Sequence, residues 1–76
     1  MKQMSIMLTT IHDVKEFVSI TSLADFDVDA ISGRYAVDAK SIIGLFSLDL
    51  GSPLTLNIYS DDCDGLVAAL RRFAVE

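Results

Sequence analysis

Only one cysteine, Cys63, occurs in the 76 residues, so no internal disulfide can close and no cysteine-based zinc cluster can assemble. That residue reads as a structural or partly exposed thiol, and the absence of disulfides points to a reducing compartment. Basic residues are also few. Lys2, Lys15, Arg34, Lys40, Arg71 and Arg72 stand against eleven acidic side chains, for a net charge of −5. Scattered in this way they form no basic face, so neither nucleic acid nor an anionic membrane is an expected partner. No segment approaches the roughly 18 apolar residues of a membrane span. The short apolar stretch Ile6–Leu8 follows a single lysine and has no small-residue cleavage site after it, so no signal peptide is expected. These absences predict a cytoplasmic protein. No cofactor and no metal are expected: the two acidic groups, Asp25-Asp27-Asp29 and Asp61-Asp62-Asp64, lack the glycine and ligand spacing of a calcium loop.

What is present is ample apolar material, 51% of the chain, which supports a core and argues against disorder. The length fits a single domain over 1–76, which buries only about 60% of its unfolded surface. Met4 to Thr10 is rich in β-compatible residues and predicts a first strand. Ile11, Val14, Phe17, Val18 and Thr21 then recur at helical spacing, predicting an amphipathic helix that ends near Leu23. Thr9 or Thr10 supplies its N-cap, and Asp13 completes a capping-box-like pair.

From Phe26 the period changes to two, with Phe26, Val28 and Ala30 alternating with Asp27 and Asp29. Ser32-Gly33 supplies a turn, and Tyr35-Ala36-Val37 starts the return strand of a hairpin. Ser41 caps a short helix over Ile42 to Leu48, which Gly51-Ser52-Pro53 closes off. Leu54, Leu56 and Ile58 mark a last strand. Ser60 or Asp61 then caps a final helix with the stripe Leu66, Val67, Leu70, Phe73 and Ala74. The order is β-α-β-β-α-β-α: an α+β open-faced β-sandwich, a four-stranded antiparallel sheet with three helices on one face.

The segment Ala39-Lys40-Ser41-Ile42-Ile43-Gly44-Leu45-Phe46-Ser47-Leu48 resembles the Lys-Ser-Ile-x-Gly-x-x-Ser-Leu stretch of HPr, the phosphocarrier of the sugar phosphotransferase system, and of its paralogue Crh. The preceding hairpin and the following strand resemble the same family, over about Met4 to Glu76. In that family a Gly-Leu-His-Ala-Arg-Pro run opens the first helix, and its histidine takes phosphate from enzyme I. Aligned without gaps, Leu8 and Thr9 fall on the Gly-Leu pair, Thr10 on the histidine, His12 on the arginine and Asp13 on the proline. The resemblance thus implies the fold without the phosphoacceptor motif, and a protein that is not itself an enzyme.

Chemistry agrees with that implication. A reversible carrier needs an imidazole nitrogen, since a phosphoramidate keeps a high transfer potential and a threonine ester does not. Thr10 has no general base beside it in sequence, and Asp13 repels a phosphoryl group. His12, in the first helical turn, admits two readings: a substitute phosphoacceptor, or a solvent-facing histidine beside an acidic partner. Thr10, Ile11 and His12 together form the candidate anion site at that helix start.

Ser41 likewise has two readings. The resemblance implies a regulatory phosphorylation by HPr kinase, followed by binding to a transcription regulator of carbon catabolite repression; a plain N-cap explains the residue type equally. Five apolar side chains from Ile42 to Leu48 exceed what one face of a short helix buries. An interaction surface of Lys40, Ile42, Ile43 and Phe46 is therefore expected, with Ile42 and Phe46 as its exposed apolar part. The expected function is a non-catalytic, HPr-like regulatory or interaction protein. The alternatives are a divergent carrier using His12, or an oligomerising structural protein, since Crh-like folds can exchange strands and form homodimers.

Overall fold

The computed structural model describes residues 1–75. Strand β1 covers Lys2–Ile6, helix α1 Ile11–Thr21, β2 Val28–Ser32, β3 Tyr35–Asp38, α2 Ile42–Phe46, β4 Leu54–Ile58 and α3 Asp64–Leu70, with a 3-10 turn over Arg71–Phe73. The element order is the one the apolar periods predict. The strands form one antiparallel sheet in the order β1-β4-β2-β3.

Period-two patterning decides which sheet face is covered. Leu54, Leu56 and Ile58 alternate inward on β4, Val28 and Ala30 do so on β2, and Ile6 does so on β1; all are buried. They join Val14 and Phe17 of α1, Leu45 of α2, and Leu70 and Phe73 in a single core. The Phe17 and Phe73 rings meet edge to face, with centroids 6.1 Å apart. The other face carries Ile31 and Ala36 among mostly polar residues, including Gln3, whose amide donates to Asn57 Oδ1 across the β1–β4 pair at 2.8 Å. Asp29 and Asp38 stand opposite each other across β2 and β3, a like-charge pair that a solvated face tolerates.

Several boundaries differ from expectation for identifiable reasons. The first strand lies earlier than Met4–Thr10. Ile6 pairs with Leu54, and the next residue of that neighbour is Pro53, which has no N–H to extend the ladder. Residues 7–10 instead lead into α1. Helix α1 stops at Thr21 rather than Leu23, because its last turn tightens: Leu23 N donates to Ile20 O and Ala24 N to Thr21 O. Helix α2 ends at Phe46 rather than Leu48, with Ser47 N and Oγ both donating to Gly44 O. β2 starts at Val28, not Phe26. The hairpin turn falls on Gly33-Arg34, one residue later than Ser32-Gly33, with Gly33 at a φ of 58°. Neither Ser60 nor Asp61 caps α3. Ser60 Oγ instead accepts from Asp62 N in a local turn, and Cys63 takes the N-cap position without a side-chain bond.

The end of α1 is fastened to the turn that precedes α2. Thr21, fully buried, donates its hydroxyl to Ala39 O at 2.9 Å, and Lys40 Nζ donates to Ala24 O at 2.8 Å. Removing the Thr21 hydroxyl strips a buried carbonyl of its donor. Thr21→Val is expected to destabilise the fold by about 1–3 kcal/mol in urea unfolding, whereas Ser19→Ala on the exposed side of α1 shifts the midpoint little.

Candidate functional site

Thr10 is the N-cap of α1. Its backbone is extended, and its Oγ1 accepts from Asp13 N at 3.0 Å. Asp13 answers, though not to the cap residue itself: its Oδ2 accepts from Thr9 N at 3.1 Å and from Thr9 Oγ1 at 3.0 Å. The capping-box pairing read from the sequence is thus displaced by one residue. The Thr9 backbone amide, then the Thr9 hydroxyl, hold the Asp13 carboxyl below its ordinary pKa, with smaller help from Thr10. The turn entering α1 therefore already holds an anion of its own. Thr10 and Ile11 are exposed, and their neighbourhood is that of a self-satisfied cap carrying negative charge.

His12 points away from this cap. Its Nε2 lies 2.8 Å from Glu16 Oε1 one turn along, and the side chain is largely exposed. Glu16 also pairs through Oε2 with Arg72, whose guanidinium stacks on the Phe73 ring at 4.6 Å from its centroid. His12 is thus one end of a surface chain from α1 to the 3-10 turn.

Ser41 caps α2 with Oγ accepting from Gly44 N at 3.1 Å. Gly44 has a role that composition does not show. A Cβ there would lie 3.2 Å from Val37 Cβ and 3.3 Å from Ser41 Oγ, so any side chain would press on both β3 and the cap. The apolar residues of α2 divide differently from expectation. Leu45 and Leu48 are buried, and Ile42 is half-buried against the core, so it is not an exposed patch residue. Ile43 is 81% exposed and Phe46 45% exposed. Lys40, at the edge of the same surface, is turned inward onto the Ala24 carbonyl. Ile43, Phe46 and the Ser41 hydroxyl thus come together on one short helix.

The Thr9–Thr10–Asp13 arrangement makes two outcomes measurable. Thr10→Ala is expected to cost about 1 kcal/mol, and Thr10→Ser much less, in urea unfolding near neutral pH. The folded-state pKa of Asp13 lies below the unfolded value of about 3.9, so its contribution is present above that value and is lost as pH falls through the lower, folded one. Asp13→Asn should therefore narrow the gap to the parent protein as pH drops below about 4; an unchanged gap at acid pH would contradict the assignment.

No protein-family model matches the chain, and no curated protein matches it by sequence. Solved structures do. HPr-C-His from Thermoanaerobacter tengcongensis superposes with a TM-score of 0.80 at 25% identity, over 95% of this chain and 89% of its own. The phosphocarrier protein HPr of Bacillus anthracis gives a TM-score of 0.77 at 22% identity, over 97% and 96%. The histidine-containing phosphocarrier protein of Mycoplasma gives 0.75 at 15%, over 93% and 89%. The agreement runs over nearly the whole length of this chain and of each neighbour. The chain has the fold of the HPr phosphocarrier proteins.

Proposed function

We propose that the chain is a regulatory or interaction protein built on the HPr fold, acting through the α2 surface with Ser41 as its modifiable residue. The observation that carries this reading is the grouping of exposed Ile43 and Phe46 with the Ser41 hydroxyl on one short helix. Isoleucine and phenylalanine held at the surface of so small a domain suit burial by a partner protein. A phosphate on Ser41 would add charge and acceptor oxygens beside that apolar pair and so change which partners fit. HPr kinase is the modifying enzyme that the resemblance of the Lys40–Leu48 segment suggests, and a transcription regulator is the partner class it suggests. In this reading the protein works in the cytoplasm and catalyses nothing itself.

Three features of the α1 entrance disfavour phosphoryl exchange. Thr10 is committed to its cap, the Asp13 carboxylate opposes an incoming phosphoryl group, and His12 points away from the cap with its Nε2 on Glu16.

Incubation with HPr kinase and ATP should add one phosphate to the parent protein and none to Ser41→Ala, read by mass spectrometry with authentic HPr as the positive control. An unmodified parent under conditions that label HPr would end the proposal for Ser41. Incubation with enzyme I and phosphoenolpyruvate should leave no acid-labile phosphate; label that disappears in His12→Ala would restore the carrier function.

A further inference from the structure

The two acidic runs of the sequence lie more than thirty residues apart, yet the fold brings them to one end of the molecule. Tyr59 N donates to Asp27 O at 3.0 Å, which sets the 25–27 segment beside the chain leading to α3. Between them a cleft of about 480 Å³ opens, walled by the end of α1, the loop after it and the start of α3. Ile20, Phe26, Leu66 and Ala69 give it an apolar lining, and Asp25 and Asp62 stand on it from opposite sides. Leu23, 87% exposed, adds a large apolar side chain to the wall. Gly65 lines the cleft at the start of α3, and a Cβ there would meet nothing within 4 Å.

The charged side chains that line this cleft, Asp25 and Asp62, are of one sign. Asp27, Asp61 and Asp64 are their near neighbours along the chain, and the carbonyl end of α1 has no basic residue in its last turn. Two cations lie close by: the Met1 ammonium pairs with Asp61 at 3.0 Å, and Lys40 Nζ donates to Ala24 O on the cleft wall, where it keeps its charge. Among the described residues neither Asp25 nor Asp62 has a cation within salt-bridge distance. A metal ion is a poor occupant. Among the described residues no three His, Cys, Asp or Glu side chains converge on one point, so the charge is spread along a rim. Two carboxylates on either side of an apolar slot match a ligand whose apolar anchor is flanked by cations.

We infer that this cleft docks a basic segment of a partner protein, one apolar side chain entering between Phe26 and Leu66 while flanking lysines or arginines face Asp25 and Asp62. The site shares no lining residue with α2, so it stands whether or not Ser41 is modified. Apolar insertion supplies the affinity, and the acidic rim selects the sequence and speeds encounter, an effect that salt weakens.

The test uses the full chain and a capped peptide, Lys-Leu-Lys-Phe-Lys, with Lys-Ala-Lys-Ala-Lys as an equally charged peptide lacking the anchor. Saturable amide shifts should appear at Leu23, Ala24, Phe26, Gly65 and Leu66, and binding should slow the reaction of the adjacent Cys63 thiol. The alanine peptide, and the Asp25→Asn/Asp62→Asn variant with the original peptide, should each bind at least about tenfold more weakly. Both aspartates are exposed, and thermal unfolding checks that the variant stays folded. Non-saturating shifts spread over the surface, or equal binding of the two peptides, would reduce the cleft to general charge attraction and overturn the inference. Phenethylammonium binding as tightly as the peptide would overturn it differently, by assigning the site to a small amine.

Discussion

Leu54, Leu56 and Ile58 stand between two neighbours that come from opposite parts of the chain, β1 on one side and β2 on the other. Because side chains alternate along a strand, a slip of one residue in β4 would turn all three outward and bring Thr55 and Asn57 into the core. That register therefore governs more than the sheet. It sets Ile58 opposite both Lys2 and Val28, which fixes where the 25–27 loop meets Tyr59, and so where the two acidic runs approach each other. Pro53, just before β4, stops the β1 ladder at Ile6 and releases the segment that turns into the Thr10 cap. The positions of α1, the cleft and the α2 surface all follow from how one five-residue strand is held.

Local rules explain what the sequence made readable. The change from a 3.6-residue to a two-residue apolar period near Phe26 is a direct image of helix and strand geometry, and Thr10 and Ser41 are where short-range capping chemistry puts them. What was not readable depends on neighbours remote in the chain. The phase of α2 is an example. Five residues make barely more than one turn, too short for an apolar stripe to declare its direction, so Ile42 and Ile43 are equivalent in sequence and opposite in the fold. Gly44 is another, since its need for a bare Cα comes from the Val37 side chain on a different strand. The start of α3 is a third, because Ser60, a good cap by type, spends its hydroxyl on Asp62 N in the preceding turn. In sequence Asp25 belongs to the polar side of an alternating strand pattern and Asp62 to the acidic start of a helix, and only tertiary structure makes them two sides of one opening.

The molecule keeps three kinds of surface apart. The entrance to α1 is polar and closed on itself, its amide, hydroxyl and carboxylate groups satisfying one another. The α2 surface offers apolar side chains around a hydroxyl. The far end of α1 is apolar within and acidic at its margin. These regions are linked through Thr21 and Lys40, which tie the end of α1 to the turn leading into Ser41. In so small a domain, one buried hydroxyl and one lysine ammonium are enough to make the loop after α1 and the cap of α2 parts of a single framework.

The residues after α3 return to the other side of the sheet. Met7 N donates to Phe73 O, Val75 N donates to Ser5 O, and Ile6 pairs with Ala74, so the chain lays an incipient fifth strand along the outer margin of β1. Backbone groups on that margin would otherwise invite another molecule to add itself in register, the first step toward fibrils. With Ser5 to Met7 covered, the open remainder of β1 is short and carries the charge of Lys2, and the opposite margin, β3, is four residues long and ends in Asp38. In a chain with half its residues apolar, three residues thus shield the margin most open to self-templated pairing, while one of them, Phe73, also packs into the core.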